Sequence, residues 1–294
     1  MKFDADVVRR QFPQMSPPDG SPPPIFFDNP GGTQVPLEVI EAVSNYYRYA
    51  NANTGGDFAT SRRTDRVLTE ARQAMAAFLN APDPRTIVFG ANMTTLTFHL
   101  ARSVADTIRP GDEIILTYLD HDANITPWVD LQAVGAVIKF VDINRADCTL
   151  NMDAYRAALS ERTKLVAITH ASNALGTIPD VATITRMAHA VGAQVFVDAV
   201  QYAPHGPIDV QALDCDFLAC SAYKFYGPHV GVLYGKVEHL ERLVPHKVRP
   251  ARDVIPYRWE TGTLNHEGLA GVLAAVNYLQ NIGERFGETW QEEY

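Results

Sequence analysis

From residue 86 onward, short runs rich in Val, Ile and Leu alternate with stretches of helical periodicity. No other feature restricts the fold as much, because helix-length segments between strands are what crossover connections in a parallel sheet require. The runs are 86–89, 113–117, 137–141, 165–169, 194–197, 217–220 and 230–234. Several are apolar almost throughout rather than at alternate positions, as strands are when helices cover both faces of the sheet. The expected fold class is α/β, a doubly wound, mainly parallel, seven-stranded sheet with helices on both faces.

Upstream, Pro13, Pro17, Pro18, Pro22, Pro23 and Pro24 fix φ and remove donors, so 13–24 is expected to be neither helix nor paired strand. It reads as an arm lying over a globular body. Amphipathic helices are expected at 36–49 and 64–79, the second from the spacing of Val67, Leu68, Ala71, Met75 and Phe78. No repeat of about 20–50 residues recurs, and no linker interrupts 86–280. The domain reading is an arm over 1–35, one large cofactor-binding domain over 36–280, and 281–294 as the start of a linker.

Formal net charge is −9 and the pI about 5.4. Phosphate backbones and anionic membranes both need clustered Lys and Arg, so neither nucleic acid nor membrane is an expected partner, and small molecules are favoured. The three cysteines, Cys148, Cys215 and Cys220, have no C-x-x-C spacing. Neither a disulfide framework nor a metal site is expected from them, and core packing is their ordinary role. The acidic start and the lack of an apolar run near eighteen residues argue against a signal peptide or membrane span. The expected location is the cytoplasm.

In open parallel sheets, ligands bind outside the carboxyl ends of the strands, which directs attention to the residues after each run. Gly90-Ala-Asn-Met-Thr-Thr95 opens a helix whose first amides lack intrahelical partners and suit a phosphate. The next ends carry Asp120-His121, then His170-Ala-Ser-Asn173, then Asp198-Ala-Val-Gln201, then Ser221-Ala-Tyr-Lys224. Singly, each has an ordinary structural role: Asp198 as a turn former, Lys224 as a solvated lysine, His121 and His170 as loop or core residues, Thr94 and Thr95 as caps. Together they supply an anion cradle, an imidazole, an amide, a carboxylate and a primary amine. Pyridoxal 5′-phosphate requires a lysine that condenses with its aldehyde, a carboxylate for its pyridinium nitrogen and a phosphate site. Dinucleotide, P-loop, zinc and serine-hydrolase motifs are missing.

These residues resemble the class V aminotransferase group of pyridoxal-phosphate enzymes, and within it the cysteine desulfurase-like branch. The resemblance runs from about Phe26 to about Gly283. It rests on Asp120-His-Asp-Ala-Asn-Ile-Thr-Pro-Trp128, His170-Ala-Ser-Asn-Ala-Leu-Gly-Thr177, Val197-Asp-Ala-Val-Gln201, Ser221-Ala-Tyr-Lys-Phe-Tyr-Gly-Pro228 and Trp259-Glu-Thr-Gly-Thr263. It implies the large domain of a fold-type I enzyme. It also implies that Lys224 carries the cofactor as a Schiff base, that Asp198 contacts the pyridine nitrogen, and that Asn173 and Gln201 lie near the ring oxygen. His121 would stack on the ring and assist proton transfer. The phosphate would be held by Met93, Thr94, Ser221 and Tyr223, with Thr263 of the partner subunit completing a homodimer with shared sites. Family members continue into a small C-terminal domain that supplies a substrate-binding arginine and, in desulfurases, the sulfur-accepting cysteine, and this chain is expected to lack it.

The function expected is that of a pyridoxal-phosphate-dependent transferase or lyase acting on an amino-acid substrate, by transamination or carbon–sulfur cleavage. The alternative is a truncated or non-catalytic pyridoxal-phosphate-binding protein.

Overall fold

The computed structural model describes residues 3–287, which fall into two compact units. Leu79–Ser221 with Gly231–Leu264 form one; the residues up to Phe78, Ala222–Val230 and those from Asn265 onward form the other. In chain order the strands are β1 (Ile87–Gly90), β2 (Glu113–Thr117), β3 (Val137–Val141), β4 (Ile143–Asn144), β5 (Thr149–Leu150), β6 (Thr163–Thr169), β7 (Gln194–Asp198), β8 (Phe217–Ser221) and β9 (Gly231–Gly235). The helices are α1 (Ala5–Arg9), α2 (Leu37–Tyr49), α3 (Ala59–Phe78), α4 (Met93–Ala105) and α5 (Thr126–Val129). They continue with α6 (Met152–Ala158), α7 (Val181–His189), α8 (Val210–Leu213), α9 (Val237–Arg242) and α10 (His266–Phe286).

The first unit holds the whole seven-stranded sheet, in the order β1-β9-β8-β7-β6-β2-β3. The strands from β8 through β3 run parallel, as the near-continuous apolar runs require. β9 is antiparallel to both β8 and β1. The return from β8 through residues 222–230 is shorter than the dozen or so residues a parallel crossover needs, so the chain comes back in the opposite sense. Val88, Ile114, Leu116, Leu165, Ala167, Phe196, Phe217, Ala219 and Leu233 line one face and form a core with Met93, Leu96 and Leu100 of α4. The alternate residues, including Ile115, Val166, Ile168, Val195, Val197 and Leu218, are buried as well, so both faces are covered.

In the second unit, α10 packs against α2 and α3. Val39 meets Ala274 and Ala275, and Tyr46 and Ala50 meet Ala270. The arm belongs to this unit, tied in where the Leu37 amide donates to the Gln11 carbonyl at 2.8 Å. It is more structured than its prolines suggest. Ala5–Arg9 is helical behind an Asp4 cap, and Pro13–Met15 form a 3-10 turn, since proline at the first position brings a suitable φ and needs no donor. α3 starts at Ala59, ahead of the expected residue 64, because its first turn is polar and carries no apolar period. α10 extends to Phe286, so 281–286 continue a helix where a linker was expected. The buried Phe286 explains this, with Phe3 packed edge-on at 5.3 Å. The remainder of that stretch, 288–294, lies outside the described residues.

Candidate active site

The sheet unit presents its strand ends through a connected set of hydrogen bonds. At the start of α4, Asn92 Oδ1 caps the helix by accepting from the Thr95 amide at 2.8 Å. The Met93 amide donates to Ser221 Oγ at 3.3 Å, which joins the end of β8 to the helix start. The Thr94 amide has no partner among the described residues, so it remains available to an anion. A Cβ on Gly231 would lie 2.3 Å from the Asn92 carbonyl carbon, and glycine alone lets β9 pass this close.

Asp198 is 4% exposed at the end of β7. Its Oδ1 accepts from the Val200 amide at 2.9 Å, which holds the turn that leads to half-buried Gln201. The Asp198 carbonyl accepts from the His170 amide at 2.8 Å. Beyond β6, Ser172 Oγ donates to the Leu119 carbonyl at 3.0 Å, tying the loop of Asn173 to that of His121. His121 is exposed, and its Nδ1 accepts from the Ala123 amide at 3.0 Å, which in the neutral ring leaves the proton on Nε2. Beside it, the Asp120 carboxylate contacts Thr117 Oγ1 at 2.5 Å and accepts from Asn124 Nδ2 at 2.7 Å; burial pushes this carboxyl up. Asn124 Oδ1 in turn accepts from the buried Trp128 Nε1 at 3.0 Å. Thus Met93, Thr94, His121, Asn173, Asp198, Gln201 and Ser221 belong to one edge of one sheet. Thr263 is exposed and, among the described residues, makes no hydrogen bond to them.

Asp120 and His170 stand at the strand ends that the sequence singles out, but without an assigned role in the site. Nothing in the pattern around half-buried Asp120 indicates that its carboxyl is shielded from water. His170 stacks on Tyr202 with ring centroids 3.7 Å apart and 13° between planes. Its Nδ1 is buried without a partner, and burial pushes the imidazole down to about 4. Cys215 and Cys220 are fully buried, and burial pushes both thiols up, so they are packing residues rather than nucleophiles.

Lys224 belongs to the helical unit, at the end of the 3-10 turn Ala222–Lys224, and is 6% exposed. Its ammonium donates to the Pro30 carbonyl and lies 4.5 Å from the centroid of the Tyr223 ring. The Thr33 amide and hydroxyl both donate to the Tyr223 carbonyl at 3.0 Å. Pro30 and Thr33 were not anticipated. The signal was Asn29-Pro-Gly-Gly-Thr33, a turn-forming run that allows close backbone approach.

Residues 25–293 match the family described as Aminotransferase class-V. The chain belongs to that family. It is 37% identical over 297 residues to a cysteine desulfurase of Synechococcus elongatus, covering 96% of this chain and 47% of that enzyme. A cysteine desulfurase of Dickeya dadantii is also 37% identical, over 298 residues, with 96% of this chain and 72% of the relative covered. The crystal structure of the Escherichia coli cysteine desulfurase CsdA superposes with a TM-score of 0.85 at 32% identity, covering 96% of this chain and 73% of that one. The apo cysteine desulfurase of Thermococcus onnurineus gives 0.86 at 29% identity with the same coverage. The chain thus spans about half the length of the first of these relatives and nearly three quarters of the others.

The aminotransferase class-V family uses pyridoxal 5′-phosphate. The side chains here fit its chemistry: an open amide and a hydroxyl where α4 begins, a buried carboxylate on β7, and a buried primary amine at Lys224. Among the described residues, no group of three or more His, Cys, Asp or Glu is arranged to hold a metal, and no helix is long and apolar enough to cross a membrane.

Proposed function

We propose that this chain binds pyridoxal 5′-phosphate through Lys224 and acts on an α-amino acid. Carbon–sulfur cleavage of cysteine is the first candidate, because the relatives are named cysteine desulfurases, and transamination is the other outcome of the same chemistry. The observation that supports this best is the buried Asp198 carboxylate on the same sheet edge as the α4 start and Ser221. A fixed anion for a ring cation and donors for a phosphate are the two opposite requirements of one molecule.

When bound, pyridoxal phosphate supplies an electron sink for charge developing at the substrate Cα. Lys224 would hold the group through its primary amine and would carry the substrate Cα proton. Asp198 favours the protonated ring nitrogen, as an adjacent opposite charge does. Asn173 and Gln201 offer amides to the ring oxygen. His121 would stack on the ring and assist proton transfer, its Nδ1 being engaged by the Ala123 amide. The phosphate is assigned to the start of α4 at Met93 and Thr94, where the Thr94 amide is the open donor, with Ser221 and Tyr223. Thr263 of the partner subunit completes this set in a homodimer, a reading that accords with its exposure here.

The test is an absorption spectrum of the purified protein with pyridoxal phosphate, followed by borohydride reduction and peptide mapping, for wild type and Lys224→Ala. The expected result is a visible band and a pyridoxyl label on the Lys224 peptide, both absent in the variant. Deuterium exchange at Cα of cysteine and other amino acids then reports turnover. A colourless protein without label overturns the cofactor reading, and a labelled protein without exchange overturns the catalytic one.

A further inference from the structure

Residues 222–230 form a loop closed by its own backbone. The Ala222 amide donates to the Val230 carbonyl at 2.9 Å, and the Gly227 and Phe225 amides donate to the Ala222 carbonyl at 2.9 and 3.0 Å. This closure carries His229 back over Tyr223. Their rings stack with centroids 4.9 Å apart and 19° between planes. Gly32, at φ +145°, lies against the same tyrosine, where an added Cβ would stand 3.2 Å from Tyr223 Cδ2. Thr33 pins the tyrosine's backbone through two hydrogen bonds to its carbonyl. Those bonds hold the main chain, but they do not set the plane of the ring, which turns about its side-chain torsions. The imidazole stacked on its face bears directly on that plane.

That plane matters because the Lys224 ammonium lies 4.5 Å from the ring centroid, within the range in which an aromatic face attracts a cation. We propose that His229 is a positioning residue: by stacking on Tyr223 it holds the phenol ring as the shelf on which the Lys224 amine rests, beside the Pro30 carbonyl. The importance of that amine rests on the function proposed above, but the shelf itself does not require the cofactor. His229 is exposed, so filling the core is not what its stacked arrangement serves.

The test measures how fast acetic anhydride modifies Lys224 in the cofactor-free full chain, read by mass spectrometry of the Lys224 peptide, with the other lysines as internal standards. A ring held over the amine shields it, so His229→Ala is expected to speed modification about three- to tenfold, the effect of one stacked pair and one cation–π contact at a partly exposed site. His229→Phe, which keeps a stacking ring, is expected to restore the wild-type rate within about twofold. In a Tyr223→Leu background, His229→Ala is expected to change nothing further, because the imidazole acts only through that ring. An unchanged rate in His229→Ala, a failure of Phe to rescue, or an equal effect in the Tyr223→Leu background overturns the proposal. If His229→Ala does not fold, His229→Leu against His229→Phe gives the same contrast. Borohydride labelling of wild-type Lys224 is run in parallel. Its failure with the expected acetylation pattern removes the cofactor reading and leaves the His229 role intact; its success with flat acetylation removes the His229 role alone.

Discussion

Ser221 Oγ, at the end of β8, accepts from the Met93 amide, at the start of α4, at 3.3 Å. Residues 128 positions apart are thereby joined where the sheet edge meets a helix N-terminus. The bond does two things: it satisfies a buried amide, and it sets a hydroxyl beside the open Thr94 donor. Ser221→Ala leaves the Met93 amide unpaired. The expected cost is about 1–2 kcal/mol in denaturant unfolding, with roughly tenfold weaker pyridoxal phosphate binding in a spectroscopic titration. Undiminished affinity would separate Ser221 from the phosphate.

Asp198→Asn distinguishes charge from structure. The asparagine Oδ1 still accepts from the Val200 amide, so the turn and the melting temperature are expected to persist. The charge is lost, and Cα proton exchange is expected to fall by about 10²-fold or more, as when one electrostatic contact to a reacting system is removed. Full exchange in the variant would remove Asp198 from the proposed role.

His170 makes stability depend on pH in a defined window. Burial holds the folded imidazole at about 4, against an ordinary value of 6.5. Above 6.5 both states are neutral; below it the unfolded chain takes up the proton first, so stability is lost as pH falls from 6.5 toward 4. The loss from this residue is about 3 kcal/mol. His170→Phe keeps a ring on Tyr202 and removes the unpaired Nδ1, so its unfolding free energy is expected to lack that component. Parallel curves for the two proteins between pH 4 and 6.5 would contradict the assignment.

Asp216 acts in the opposite sense. Burial alone would raise its carboxyl, yet His239 Nε2 at 2.7 Å, His189 Nε2 at 2.9 Å, the Val195 amide at 2.7 Å and Lys236 outweigh it and hold it at about 2. A depressed carboxylate stabilises the fold above its unfolded value of 3.8, and that contribution vanishes as pH falls through 2. Asp216→Asn is expected to lower stability by about 2 kcal/mol at neutral pH and to flatten the acid limb of the unfolding profile between about pH 4 and 2. An unaltered acid limb would show that the carboxylate does not carry it.

The strands were legible because they are buried on both faces: an apolar run such as Val195-Phe196-Val197 has few other homes. The strand-end residues followed from them, since parallel strands share one carboxyl edge. What escaped detection was polar or remote. The first turn of α3 has no apolar period, and α10 runs on to a buried Phe286 that local pattern did not tie to the helix. Pro30 contributes a backbone carbonyl to Lys224, and a carbonyl leaves no mark on residue identity.

Residue identity by itself determined the kinds of groups available: a lysine three positions past β8, a carboxylate closing β7, a helix opened by Asn92, and apolar runs that cannot stay in water. Local rules of periodicity, capping and turn chemistry act over a few residues, so they sufficed for these. Only the tertiary structure decided that Met93 meets Ser221, that Asp120 and His170 are enclosed, and that Lys224 rests between Tyr223 and a carbonyl of the arm. Those facts depend on contacts between residues distant in sequence and on the burial that follows, and both change hydrogen bonding and proton affinity without changing a single letter of the chain.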